Sequence, residues 1–307
     1  MASPSGSLAS LSDQLADAVA QAGESLVAVH ARPRLPSSGT HWRDGLVVTT
    51  EATVKRTDDI RVTLPDGSRI SADLAGRDPG TDLALLRIPG GRLPVARRGD
   101  PTALRPGHLV LALARLGDDG PRAAFGAVSA TGGPWRCWKG GEIDRRLQSD
   151  VTLYPGFGGG PLVDVEGRVH GVNSGGLSRP LTTTVTTATV DRVVNELLER
   201  GYVPRGWLGL ALHPVRFNPG ARERLGLASD AGLVVLSVES DAPAARAGVL
   251  VGDVLFAVDG QPVHSPEQVV DLLGTGAVGR TLGLELVRGG ARARAEITVG
   301  ERPRRAG

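Results

Sequence analysis

The sequence predicts a mainly β protein, two packed six-stranded β-barrels followed by a smaller α+β domain. Three observations predict it. From Ser25 to about Thr187, short runs rich in Val, Leu and Ile alternate with turn residues and show no helical period. The chain holds 43 glycines and 21 prolines in 307 residues, the supply of turns that closed antiparallel barrels need. An amphipathic stripe stands on either side of this stretch and separates it from a distinct C-terminal third.

In chain order, residues 1–24 read as a tail and a helix. Residues 1–7 have a disordered composition, and Leu8, Leu11, Leu15 and Val19 form one apolar face over 8–22, with Ser12 and Asp13 as capping candidates. Residues 25–200 form the barrel domain. Its expected strands include Val27 to His30, Leu46 to Thr49, Ile60 to Leu64, Ala72 to Ala75, Asp82 to Ile88, Leu109 to Ala114 and Phe125 to Ala130, with a hairpin turn at Pro65-Asp66-Gly67-Ser68. The domain closes on a helix over 189–200 with Val190, Val193, Val194, Leu197 and Leu198 on one face, ended by Gly201. A linker at 201–206 leads into a domain at 207–301. There Ser265 and Pro266 start a short helix. Residues 302–307 are a basic tail expected to be disordered.

Composition excludes several classes. A net charge of +2, carried almost wholly by arginine (only Lys55 and Lys139 are lysines), is weak for a nucleic-acid binder. One cysteine, Cys137, forbids an internal disulfide and a cysteine-rich metal site, and nothing in the sequence calls for a cofactor. No run approaches the ~20 apolar residues of a membrane span. Aromatic content is 3%, so the cores are built from Val, Leu, Ala and Ile. The N-terminus lacks a basic region and a long apolar stretch, which places the chain as given in the cytoplasm. A start site further upstream would change that expectation.

The segment Pro155-Gly156-Phe157-Gly158-Gly159-Gly160-Pro161-Leu162 resembles the nucleophile loop of trypsin-like serine proteases of the HtrA/Deg family, Pro-Gly-Asn-Ser-Gly-Gly-Pro-Leu. Asp44 to Val54 resembles the segment of that family that carries the catalytic histidine. Arg77-Asp78-Pro79-Gly80-Thr81-Asp82-Leu83-Ala84 resembles the one that carries the aspartate. Leu147 to Asp150 and Val163 to Asn173 match in register as well, so the likeness is collinear from about residue 26 onward. It implies a chymotrypsin-like double barrel with the three catalytic positions in the cleft between barrels.

At those positions stand Ala52 for the histidine, Asp82 for the aspartate and Gly158 for the serine. Glycine offers no nucleophile and alanine accepts no proton. By the same likeness Gly156 and Gly158 supply oxyanion-hole N–H groups, which are backbone and survive. Thr152 lies at the base of the primary specificity pocket, and Phe157 narrows the cleft. Asn173-Ser174-Gly175-Gly176, which reads like a nucleophile motif in isolation, borders that pocket as a polar turn.

Gly206-Trp207-Leu208-Gly209-Leu210 and Ser240-Asp241-Ala242-Pro243 through Gly252-Asp253-Val254-Leu255 resemble the signatures of a PDZ domain in its bacterial arrangement. That likeness implies β-augmentation by a protein or peptide C-terminus. Trp207, Leu208, Gly209 and Leu210 would hold the carboxylate. Val269, Val270 and Leu273 would line an apolar wall that selects an apolar last residue. The N-terminal helix reads as a packing helix on the barrel, with an oligomer contact, a homo-oligomer (trimer), as the alternative that the likeness implies, because relatives trimerise through this end. The function expected is a catalytically inactive HtrA-like scaffold, chaperone or regulator. The competing readings are an active HtrA-type endopeptidase and a PDZ adaptor carried on a barrel platform.

Overall fold

The structure, a computed structural model, describes residues 4–91, 93–137, 140–177, 182–274 and 276–303. Lys139 and the last four residues of the basic tail lie outside the described residues. Two compact units divide the chain, Met1–Val203 and Pro204–Gly307.

The first unit opens with α1 (Pro4–Gly23). Then come β1 (Leu26–His30), β2 (Ser37–Arg43), β3 (Leu46–Thr50), β4 (Ile60–Thr63), β5 (Arg69–Asp78) and β6 (Leu83–Arg87). They form a closed barrel in the order β1-β2-β3-β6-β5-β4, sealed by β1 on β4. A second closed barrel uses β7 (Leu109–Ala114), β8 (Arg122–Gly132), β11 (Arg146–Ser149), β12 (Pro161–Asp164), β13 (Val169–Ser174) and β14 (Thr182–Thr186), in the order β11-β14-β13-β12-β7-β8. A small ribbon, β9 (Trp135–Arg136) with β10 (Glu142–Ile143), sits between β8 and β11 in the chain. Helix α2 (Thr187–Arg200) closes the unit, and Gly201 ends it at φ 77°, where glycine carries no Cβ penalty.

Each barrel has its own apolar interior, Val27, Val29, Val47, Val62 and Leu86 in the first and Val110, Ala112, Val128, Leu147 and Leu162 in the second. A larger cluster lies between them. It joins Trp42, Leu83 and Leu85 to Leu113, Val163 and Val172, and takes in Ala18 and Ala22 of α1 and Val190, Val193 and Leu197 of α2. Each fully buried Val or Leu there contributes about 1.5–3 kcal/mol. The amphipathic helices therefore belong to the barrels' shared core. Helix α2 is pinned as well by Asp191, which accepts from Trp42 Nε1 at 2.8 Å and from Arg43 and Arg98 at 3.0 and 2.9 Å.

The second unit contains β15 (Gly206–Trp207), β16 (Leu210–Arg216), α3 (Pro219–Leu225), β17 (Ala231–Val238), α4 (Pro243–Arg246), β18 (Val254–Val258), β19 (Gln261–Pro262), α5 (Pro266–Leu272), β20 (Thr281–Arg288), β21 (Ala291–Thr298) and β22 (Gly300–Glu301). Its sheet runs β16-β17-β18-β20-β21, with β19 on β18, so β16 is an edge strand. Ser265 and Gln268 form a full capping box at the start of α5. Buried Asp253 is gripped by Arg288 through two contacts of 2.8 and 2.7 Å, and that pairing holds its carboxyl below the usual range.

Two expectations are corrected. Helix α1 starts at Pro4, so Ser12 and Asp13 are mid-helix and cap nothing. β2 was not expected, because Ser-Ser-Gly-Thr-His-Trp-Arg carries no apolar alternation. Its small residues are nonetheless buried, and Gly39 has no room for a side chain, since a Cβ there would lie 2.7 Å from Val47. His41, in the same segment, is likewise buried, in the middle of β2.

The β12–β13 hairpin is locked by Asp164, which accepts from His170 Nε2 at 2.9 Å, Arg168 Nε at 2.8 Å and two backbone N–H groups. Burial pushes this carboxyl up, but hydrogen bonds from His170, Arg168 and the backbone outweigh it and hold it far below the usual range. A depressed folded pKa gives stability that is present above the unfolded value and lost as pH falls. Asp164→Asn is expected to cost about 3 kcal/mol at neutral pH. Thermal melts should show its gap to the parent shrinking between about pH 5 and about pH 2. A gap that stays constant with pH would exclude the carboxylate as its source.

Candidate functional site

The glycine-rich loop before β12 is held from three sides. Internally, Phe157 N donates to Tyr154 O at 3.0 Å and Gly160 N to Phe157 O at 3.1 Å. Gly159 N and the Gly160 carbonyl pair with Asn173 of β13 at 3.0 and 2.9 Å. From β2, Ser38 N donates to Gly158 O at 3.1 Å, Ser38 Oγ to Gly156 O at 2.8 Å and Thr40 Oγ1 to Gly159 O at 3.1 Å. The N–H groups of Gly156 and Gly158 donate to no acceptor among the described residues. That leaves two fixed backbone donors at the loop that was expected to form an oxyanion hole.

Gly156 and Gly159 have φ of 95° and 87°, where a side chain is strained. Gly158 is outside that region, and a Cβ there would meet Thr50 Oγ1 at 3.1 Å. Position 158 therefore has the backbone of an ordinary L-residue, with a hydroxyl facing the space a side chain would take. Thr50, Thr53 and Ser37 link their hydroxyls at 3.0 Å each beside it.

Asp82 is buried at the start of β6 with φ 55°, a left-handed conformation that Asp tolerates better than most residues. Asp78 builds the turn that presents it, accepting from Gly80 N, Thr81 N and Thr81 Oγ1 at 3.2, 3.0 and 2.7 Å. The Asp82 carboxylate accepts from Ala52 N at 2.8 Å and from Ser174 Oγ at 2.5 Å, while its carbonyl accepts from Glu51 N at 3.0 Å. Ala52, Asp82 and Gly158 thus gather around the end of β3. Among the described residues no histidine hydrogen-bonds Asp82. His30, His41 and His170 are engaged with Thr63, Pro94 and Asp164.

Three further placements differ from expectation. Thr152 is exposed in a stretch outside the strands. Phe157 points under the loop into the second barrel's interior, beside Val151 and Leu162, with its ring edge-on to Tyr154 at 5.8 Å, so it anchors the loop and does not narrow the cleft. Ser174 is buried and bonded to Asp82, a partnership that the turn-like text Asn-Ser-Gly-Gly did not signal.

In the second unit, Trp207 pairs in β15, and the Leu208 and Gly209 carbonyls accept from Ala244 N and Glu239 N at 2.9 Å each. The N–H groups of Leu208 and Gly209 have no acceptor among the described residues. Gly209, at φ 77°, lies so close to Ala242 that a Cβ would sit 2.2 Å from that methyl. Leu210 begins the edge strand β16. On α5, Val270 is 44% exposed, Leu273 is half-buried just past the helix end, and Val269 is buried in the unit's core. Val269 therefore supports the helix from behind and lines no wall. Among the described residues no group of three or more His, Cys, Asp or Glu side chains is placed to hold a metal ion.

The chain matches the trypsin-like peptidase domain over residues 37–172 and the PDZ domain over residues 206–299. The solved HtrA-type protease AlgW with tripeptide is 30% identical, has a TM-score of 0.74, and covers 95% of this chain with 98% of its own. The chain belongs to the HtrA/Deg family. A second HtrA-type neighbour, a serine endoprotease from Yersinia pestis, is 27% identical with a TM-score of 0.75, over 94% of this chain and 98% of that one. The probable periplasmic serine endoprotease DegP-like of Pseudomonas putida (strain W619) is 36% identical over 265 residues, 85% of this chain and 54% of that protein. Its namesake in Brucella suis biovar 1 is 35% identical over 283 residues, 89% and 54%. The chain thus spans about half the length of these curated relatives. They are named periplasmic and lend the cytoplasmic expectation no support. No helix among the described residues is long and apolar enough to cross a membrane.

The loop geometry separates neighbouring glycines. Gly158→Ser should fold with a loss below about 1 kcal/mol, because only the Thr50 side chain must yield. Gly159→Ser, whose Cβ would sit 2.1 Å from the Ser38 carbonyl oxygen in a left-handed conformation, should melt many degrees lower or fail to fold. The reverse order in thermal melts would show that the loop register is wrong.

Proposed function

We propose that this HtrA/Deg protein is catalytically inactive and acts as a peptide-binding scaffold, chaperone or regulator through its PDZ domain. The observation that carries the reading is the contrast within one site. Asp82, Ser174 and the two loop N–H groups are arranged for acyl chemistry, while positions 52 and 158 carry a methyl and a hydrogen. Loss of either base or nucleophile in a serine protease lowers kcat by ~10⁶, about 8 kcal/mol of barrier. Residual stabilisation by backbone donors leaves only ~10³–10⁴ over water.

The PDZ features support retained binding. An edge strand with free backbone groups, two unpaired N–H groups at its start and the exposed Val270 on the adjacent helix suit an extended peptide with a free carboxylate and an apolar last residue. The solved relative AlgW was obtained with a tripeptide and with a decapeptide, which favours the same ligand class here. Leu8, 71% exposed on the apolar face of α1, favours self-association at that end.

Two tests bear on this reading. The pure chain should show no covalent labelling by a fluorophosphonate serine probe, and stoichiometric labelling mapped to any serine would restore the endopeptidase. In peptide titrations onto the full chain, free-acid C-termini ending in Val or Leu should bind at micromolar Kd, about −8 kcal/mol. Amidation should remove most of that affinity, and Val270→Lys should weaken it at least tenfold with an unchanged melting temperature. Equal binding of acid and amide would exclude the carboxylate mode and leave the barrel cleft as the recognition surface.

A further inference from the structure

β2 carries an imidazole into the first barrel. Side chains alternate along a strand, so Gly39 and His41 share a face. The space above Gly39 is filled by Val27, Val29 and Val47, which fixes that face as the barrel's interior. His41 is accordingly 1% exposed.

Its Nδ1 lies 3.0 Å from the carbonyl oxygen of Pro94. A carbonyl only accepts, so Nδ1 carries a proton, and the neutral tautomer with that proton has its lone pair on Nε2. Nε2 has no partner among the described residues. His41 lines the space described next, so this lone pair is offered to a donor that enters it.

His41 lines a cavity of about 240 Å³ at the barrel end that holds the β4–β5 turn. Buried Leu64 and Ile88 and half-buried Ile70 line it, while exposed Ser68 and Pro89 stand at its rim. A water's share of liquid volume is about 30 Å³, and an engineered apolar cavity of about 150 Å³ is enough to take benzene. The chamber has room for a ring-sized molecule, walls that favour apolar atoms, and one acceptor to orient a ligand.

We propose that this cavity is a binding site for a small apolar molecule bearing a single O–H or N–H donor, which it gives to His41 Nε2. The site is independent of the PDZ groove and of the barrel cleft, and it stands whether or not the chain is a protease.

Phenol and anisole, the same ring with and without a donor, test it on the full chain at pH 8. Phenol should raise the melting temperature with concentration and shift the His41 Nε2 nitrogen resonance. Anisole should bind at least tenfold more weakly by calorimetry. In His41→Leu the preference for phenol should vanish. If that variant does not fold, the nitrogen shift and the phenol-to-anisole ratio on the parent still decide. Failure of phenol to shift either signal up to its solubility means that water alone fills the chamber and overturns the site. Equal affinities for the two rings overturn the role of His41.

Discussion

Ser38 is the constraint on which the barrel unit's site depends. This one buried residue gives its N–H to Gly158 O, gives its hydroxyl to Gly156 O, and takes the N–H of Arg115 just past β7. Its neighbour Thr49 gives a hydroxyl to the Ser38 carbonyl at 2.7 Å. The first barrel's β2 and β3, the second barrel's β7 and the glycine-rich loop therefore meet at a single residue. Because all of these groups are buried, each lost hydrogen bond leaves an unsatisfied polar atom, which is more costly than the bond itself is favourable. The loop's shape is thus imposed by the barrels' packing and does not depend on a side chain at position 158.

The same reasoning bears on the proposed inactivity, because the site's framework does not rest on a side chain at 52 or 158. Asp82 is held in its left-handed conformation by the Asp78 turn, Ala52 N–H and Ser174, none of which involves a histidine. Phe157 fastens the loop from beneath by burial in the second barrel. A methyl at 52 and a hydrogen at 158 leave these contacts intact. The geometry is carried by buried backbone and hydroxyl contacts, and under the proposed reading the chemistry would need two further side chains.

Much of the architecture was legible in the sequence because it rests on patterns of strong physical origin. Alternating apolar runs marked most of the barrel strands. The stripe Val190, Val193, Leu197 with Gly201 marked α2, and Ser265-Pro266 marked the start of α5. What was not legible depends on long-range contact. β2 is polar by composition and buried by assembly. Phe157 looked like an obstruction in the cleft because nothing local says that an apolar interior lies beneath the loop. Ser174 looked like a turn because its partner is 92 residues away. Val269 and Val270 are adjacent and alike in chemistry, and only helix rotation sends one to the core and the other to solvent. Thr152 was placed by analogy of position, and its surroundings leave it exposed.

The most direct measurement is restoration of the two missing side chains, Ala52→His with Gly158→Ser, assayed for serine-probe labelling and for cleavage of unfolded casein beside the parent and each single variant. If the framework is intact and only the chemistry is absent, all four proteins fold, the parent and single variants stay at background, and the double variant gains labelling and cleavage, because base and nucleophile act as a unit. Cleavage by the parent would contradict inactivity. A folded double variant that neither labels nor cleaves would contradict the intact framework.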